Sequence, residues 1–162
     1  MFADFGTYAW RLLRYLGVPE ADLEDALQEV FLVVHRKRSQ VRPNSSHRAW
    51  IGAIATRVAA DVRRKRGRRR ARELPMAVPP ESTESPSAHA RIELEEARHR
   101  MLRALDTLKA EQRMVFVMHV VEEIPIKDVA EALGCALPTA YYRLERAREA
   151  LRAAVQDTME ER

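Results

Sequence analysis

The chain has 162 residues, 46% hydrophobic and 32% charged, with a net charge of +4, a length and composition suited to one domain or two small ones with modest cores. No run approaches the roughly 18 apolar residues of a membrane span, and the N-terminus lacks a basic start, an apolar stretch and a small-residue cleavage site, so the sequence reads as soluble, unexported and cytoplasmic. A single cysteine, Cys135, excludes an internal disulfide framework, and His35, His47, His89, His99 and His119 show no zinc spacing, so no metal or cofactor is expected.

The net charge hides an asymmetry. Residues 1–72 carry 16 Lys and Arg against 7 Asp and Glu, or +9, while residues 73–162 carry 12 against 17, or −5. The basic half suggests a polyanion partner. Between them ELPMAVPPESTESPSAHA, residues 73–90, replaces helical periodicity with proline and serine and reads as an extended tether. The organisation expected is therefore an all-α chain of two small helical domains, 1–72 and 91–162, joined by a flexible linker, 73–90.

In the first half, residues 3–16 place Phe5, Tyr8, Leu12, Leu13 and Leu16 on one face and stop at Gly17. A second helix opens after Pro19, with Leu23, Ala26, Leu27, Val30, Phe31 and Val34 at offsets 0, 3, 4, 7, 8 and 11, a wide apolar stripe. Its other side presents Asp22, Asp25, Gln28 and Glu29. Acid in the first turn also suits the helix dipole, and the residues alone do not separate the two readings. After a polar loop, Ser46 is positioned to cap a third helix whose buried stripe is Ile51, Ile54, Ala55, Val58 and Val62. That helix runs into RRKRGRRRAR, residues 63–72, eight cations in ten positions that must be solvated or paired with phosphate.

The second half opens on a charged helix, about 90–108, with Leu94, Ala97, Met101, Leu102 and Leu105 as its apolar positions. EQRMVFVMHVVEE, residues 111–123, reads as one central helix, with His119 packed or partly exposed and Glu122 and Glu123 as solvated charge at its end. IPIKDVAEALG then gives a short helix with Ile126, Val129, Ala130 and Leu133 inward and a turn at Gly134, followed by a helix from Pro138. This is a helix-turn-helix pattern. Ala140, Leu144, Ala147 and Leu151 bury one stripe of the last helix, which turns Thr139, Tyr142, Arg143 and Arg146 outward with Tyr141 and Arg148 flanking. Arginine reads guanine edges and neutralises phosphate, and tyrosine donates to phosphate or packs on thymine methyls. A surface helix laced with Arg and Glu pairs would show the same composition.

Taken together, DLEDALQEVFLVVHR with AWIGAIATRVAADVRRKR, and LDTLKAEQRMVFVMHVVEEIPIKDVAEALGCALPTAYYRLERAREALR, resemble an extracytoplasmic-function (ECF) sigma factor of the bacterial sigma-70 family. The likeness spans nearly the whole chain, in order. It implies two helical domains, sigma-2 and sigma-4, that attach to core RNA polymerase and recognise the promoter −10 and −35 elements, with no catalytic activity of their own. Asp25, Gln28, Glu29 and Phe31 match the family's D-x-x-Q-E-x-F pattern, which with Asp22 implies a polymerase-binding face. Asn44, Ser45, Ser46, His47 and Arg48 stand where the family captures the −10 non-template strand, with Arg57, Arg63 and Arg64 placed to meet phosphate and Trp50 matching an aromatic that supports this loop. Thr139, Tyr141, Tyr142, Arg143 and Arg146 match the helix that enters the −35 major groove.

The sequence departs from the pattern at Tyr141 and Tyr142, where small or basic residues are common, at Lys109, where proline is common, and at Ala136, where a serine cap is common. The resemblance admits an anti-sigma factor as a further partner, and because the chain stops about ten residues after the expected end of the recognition helix no appended C-terminal domain is expected. A conventional helix-turn-helix regulator is the alternative; it accounts for the last 60 residues and leaves the acidic helix, the loop and the arginine run unexplained. A nucleic-acid-processing enzyme would need a phosphate loop, metal ligands or a paired nucleophile, none of which the sequence contains.

Overall fold

Apolar residues recurring at three- and four-residue spacing give helices throughout a computed structural model, which describes residues 2–42, 44–70 and 88–160 and contains no strand among them. Helix α1 (Phe2–Tyr15) buries Tyr8, Ala9, Leu12 and Leu13. It stops at Gly17, whose φ of 88° lets the Val18 N–H turn back to the Leu13 carbonyl at 3.0 Å. A single 3-10 turn, Glu20–Asp22, leads into α2 (Leu23–Lys37), which buries Leu23, Ala26, Val30 and Val34 and keeps Leu27 and Phe31 half-buried on the same side.

Helix α3 (His47–Arg70) begins where Ser46 Oγ accepts the Ala49 N–H at 3.2 Å, the cap the sequence predicts. It continues through the arginine run as far as Arg70; residues 71 and 72, and most of the predicted linker, lie outside the described residues. Its buried surface is broader than the predicted stripe. From Ala49 to Ala59, Arg57 is the one exposed side chain apart from half-buried Trp50, because α1 and α2 cover one side and the second half covers the other. Small residues make that approach possible. A Cβ on Gly52 would stand 2.8 Å from both Met118 Cε and Tyr8 Oη.

Helix α4 (Ala88–Asp106) starts inside the segment read as linker, and among its described side chains the apolar ones covered are those of the last turns, around Met101, Leu102 and Leu105. Leu94 and Ala97, expected inward, are exposed, Leu94 by 70%. The segment expected as one central helix is two pieces: α5 (Ala110–Phe116) and a wider π turn, Val117–Val121, in which the Glu122 N–H reaches back to the Val117 carbonyl at 3.0 Å. Gln112 Oε1 accepts the Lys109 N–H at 3.3 Å and helps start α5 without the proline common to the resemblance.

Helix α6 (Ile126–Leu133) ends on Gly134 in the left-handed region, φ 67°, with the Cys135 N–H bonded to the Ala130 carbonyl at 3.0 Å. Helix α7 (Leu137–Glu160) follows, burying Ala140, Leu144 and Ala147 against α5 and α6. It runs on to Glu160, several residues beyond the end the apolar stripe marks. Both halves share one continuous apolar cluster, to which Leu12, Ile54 and Val58 of the first and Met118 and Val129 of the second all belong.

Candidate polymerase and nucleic-acid interfaces

Because α2 spends its apolar stripe on α1 and α3, its opposite side is left to water. Asp25, Gln28 and Glu29 are exposed there, and Leu32, 51% exposed, adds an apolar patch that the family pattern did not single out. Asp22 stands apart, in the 3-10 turn, its Oδ2 accepting from Arg66 Nε at 2.7 Å. Phe31 is half-buried against the core. A groove of about 990 Å³ runs between α2 and α3, lined by the acids Asp25, Glu29 and Asp61, the bases Lys37, Arg57 and Lys65, and apolar Ala26, Ile54 and Val58.

The loop before α3 is held by its own hydroxyls. Ser45 Oγ donates to the Arg42 carbonyl at 2.9 Å, and Ser46 is engaged as the cap, while Asn44 and His47 remain exposed. Trp50 is half-buried on the core cluster. The basic residues on α3 do not share one face. Arg57 lines the α2/α3 groove, whereas Arg63 and Arg64 line a second cleft with Ala110, Arg113 and Met114. Arg64 is ion-paired with Asp61.

Arg48 is committed elsewhere. Its guanidinium lies 4.9 Å from the Tyr8 ring centre, and its Nη2 donates to Glu122 Oε2 at 3.1 Å. Arg11 donates to the same carboxylate through Nε at 2.8 Å and Nη2 at 2.6 Å, and this bond holds its pKa above the ordinary value. Glu122 is thus no solvated helix-end charge, as the sequence reading had it. Its side chain is fully buried, turned inward by the π turn. Burial first, and the Glu122 charge second, push the Tyr8 hydroxyl pKa far above its ordinary value. Glu123, next in the chain, takes a left-handed φ of 56° and stays exposed.

A second missed residue is Arg113, fully buried at the seam. It donates from Nε to the Tyr15 carbonyl at 2.6 Å and from Nη1 to Asp106 Oδ1 at 2.5 Å, while burial holds its pKa below the ordinary value. The signal available in the sequence was position: Arg113 and Glu122 are the charges that immediately border the run MVFVMHVV.

On α7, Thr139, Tyr142, Arg143 and Arg146 share a cleft of about 750 Å³ with Lys109 and Gln112 of the α5 start. Tyr141, 50% exposed, does not line it. Arg146 stacks 6.0 Å from the Tyr142 ring centre and pairs with Glu149 at 2.7 Å, and Arg148 pairs with Glu145 at 2.6 Å. Such exposed pairs are weak. Among the described residues no cluster of His, Cys, Asp or Glu could hold a metal, and no helix is long and apolar enough to cross a membrane.

Residues 1–69 match the family described as Sigma-70 region 2, and residues 98–151 match Sigma-70 region 4, the two together covering most of the chain in the family's order. The chain belongs to the sigma-70 family. The relatives it resembles are ECF sigma factors. The ECF RNA polymerase sigma-E factor of Escherichia coli K12 is 28% identical over 146 residues, covering 86% of this chain and 76% of that protein. The ECF RNA polymerase sigma factor SigE of Mycolicibacterium smegmatis is 29% identical over 143 residues, 88% of this chain and 55% of that longer protein. Among solved structures, CnrH in complex with the cytosolic domain of CnrY superposes with a TM-score of 0.69 at 25% identity, covering 96% of this chain and 84% of that one. The sigma factor RpoE of Bartonella quintana, in complex with the anti-sigma factor NepR, shares the fold with a TM-score of 0.68 at 22% identity, covering 93% of this chain and 91% of that one.

Proposed function

We propose that this sigma-70 family chain is an alternative ECF sigma factor that joins core RNA polymerase in the cytoplasm and directs promoter-specific initiation, carrying out no catalysis itself. The observation that carries the reading is the presence, on one chain, of region 2 with an exposed acidic α2 face and region 4 with an exposed Tyr/Arg recognition helix. Asp25, Gln28 and Glu29, with Leu32 beside them and Asp22 and Phe31 at the margin, form the polymerase-facing side. Asn44, Ser45, Ser46, His47 and Arg48 receive the −10 strand, with Arg57, Arg63 and Arg64 neutralising backbone charge on either side of α3. Thr139, Tyr142, Arg143 and Arg146 read the −35 groove, with Tyr141 on the flank of the same helix. Domains 1–72 and 91–162 carry these roles and residues 73–90 join them.

Region 4 lies in the half with net charge −5, so it binds duplex weakly alone, since nonspecific affinity comes from phosphate neutralisation. Promoter recognition belongs to the holoenzyme. An anti-sigma factor, as in the RpoE complex, is the regulatory partner that fits such a chain. The test is transcription in vitro from a pool of promoter fragments with purified core polymerase, with and without the chain. Specific starts that require the chain establish the function. Failure to bind core, with a palindromic footprint on DNA alone, would instead make it a conventional helix-turn-helix regulator.

A further inference from the structure

We propose that Arg11 and Arg48 form an anion-binding pair for a phosphate of promoter DNA, and that the Glu122 carboxylate fills it while the two halves are together. The proposal rests on the sigma-factor reading for the identity of the anion. Its geometry stands on its own. Arg11, on α1, and Arg48, in the first turn of α3, both belong to the first half, and both aim their guanidiniums at one carboxylate, reaching Glu122 Oε2 at 2.6 and 3.1 Å. Their side chains are 47% and 50% exposed, whereas that of Glu122 is wholly buried. The cations form the rim of the site and the acid is its plug.

The Arg48 side of the rim is fixed without the plug. Tyr8 Oη donates to the Arg48 carbonyl at 2.9 Å and its ring carries the Arg48 guanidinium, which ties α1 to the start of α3 within the first half. Glu122 arrives from the second half, at the end of the π turn. When the halves separate, the plug leaves, Arg48 keeps its place on the Tyr8 ring, and Arg11, three residues after Tyr8 and so on the same face of α1, gives up its carboxylate partner. Two guanidinium forks so placed are matched to the oxygens of a phosphate. Arg48 also ends the loop assigned to the −10 strand, so the phosphate is one of that strand, and Arg11 becomes a DNA-binding residue that sequence reading passed over.

Separation is required by distance. Elements some 25 base pairs apart lie about 85 Å apart at ~3.4 Å per base pair, while a compact chain of 162 residues has a radius of gyration of only about 15 Å. The closed chain cannot reach both. DNA and Glu122 therefore compete for the same pair, and the closed chain is masked against the −10 strand without any second protein.

The experiment titrates the full chain with a fluorescently labelled single-stranded oligonucleotide at several salt concentrations, using wild type, Glu122→Gln and Glu122→Gln with Arg11→Ala, each checked for helix content by circular dichroism. Glu122→Gln is expected to bind about tenfold more tightly than wild type, with a salt slope steeper by about one to two counterions, and the added Arg11→Ala to remove most of that gain. Equal affinity of Glu122→Gln and wild type, or a gain that survives Arg11→Ala, overturns the proposal. Should Glu122→Gln not fold, Arg11→Ala alone is assayed in holoenzyme on a forked promoter. A roughly tenfold loss of affinity is expected, and an unchanged affinity overturns the pair. Wild-type starts on promoter templates report on the sigma reading separately, so either idea can fail while the other stands.

Discussion

Arg113, in the second half, donates its Nε–H to the carbonyl of Tyr15, in the first, at 2.6 Å across 98 positions of chain. Beside this bond, the Arg113 guanidinium lies so close to Gly17 that a Cβ there would approach its Nη1 to 3.0 Å, at a residue whose φ of 88° already favours glycine. Arg113→Met should lower stability by about 2 kcal/mol, because the Tyr15 carbonyl loses its partner while Asp106, 63% exposed, returns to water. A thermal melt by circular dichroism should fall by roughly 4 to 8 °C, with the single transition broadening as the halves uncouple. A sharp, unshifted melt would show that the seam does not depend on this residue.

Gly52→Ala should cost about 1 to 3 kcal/mol, since the new methyl meets Met118 Cε and Tyr8 Oη at 2.8 Å. The thioether end can move more readily than the hydroxyl, which is bonded to the Arg48 carbonyl. Combining Gly52→Ala with Met118→Ala should therefore cost less than the sum of the two single changes when denaturant midpoints are compared. Strict additivity would mean that the two sites are not in contact.

Reversing charge on the exposed side of α2, as in Asp25→Arg with Glu29→Arg, should weaken binding to core polymerase by about tenfold or more at low salt, and less at high salt. Neither residue is buried, so the melting temperature should move by no more than the equivalent of ~0.5 kcal/mol. Co-sedimentation with core polymerase reads the first quantity and a melt the second. Undiminished affinity would remove α2 from the polymerase interface.

Arg143→Ala and Tyr142→Ala should each reduce initiation by about 10- to 100-fold on a promoter with its own −35 element, in line with ~1 to 3 kcal/mol per base-reading contact. On a template with that element scrambled the defect should vanish. Tyr142 is 65% exposed, so its loss should leave stability almost unchanged. Equal defects on both templates would assign these side chains to something other than base reading.

Tyr8 gives the fold an alkaline limit. Its pKa lies above the ordinary 10.0 in the folded chain, chiefly through burial. The unfolded chain therefore releases this proton first as pH rises, and the stability contributed is complete below pH 10 and declines above it. Melts at pH 9 and pH 11 should show this loss, and Tyr8→Phe should flatten the difference while lowering stability at pH 9 by about 1 kcal/mol through the lost hydrogen bond to Arg48. An equal alkaline loss in Tyr8→Phe would place its origin in other groups.

The helices of the first half, the turn at Gly134 and the buried stripe of α7 could be read from periodicity, because Leu23, Val30, Ala140 and Leu144 face a core in their own half. What could not be read is what depends on the other half. The extra burial of Ala53 and Thr56 comes from the second half docking on α3, and no spacing rule within α3 contains it. Glu122 and Glu123 are neighbours of identical type, yet one is buried between two arginines and the other faces water. A π turn in the backbone decides which. Leu94 fails in the opposite sense, having a helical apolar spacing and no element packed on it among the described residues. At the candidate site the exposed acids of α2 and the outward set on α7 followed from pattern, whereas the engagement of Arg48 by Glu122 required the fold.

The π turn at Val117–Val121 closes a ring one residue wider than an α-helical turn, and each residue of an α-helix advances the side-chain direction by about 100°. The heading of every side chain after it, Glu122 first, is thus set by the length of a five-residue segment as much as by the residues in it. Loss of one codon in this segment would restore an ordinary helix and swing the carboxylate away from Arg11 and Arg48 while every charge in the chain was retained. The contact of Glu122 with Arg11 and Arg48 can therefore be acquired or discarded in evolution by a single insertion or deletion, a change that composition and net charge do not register.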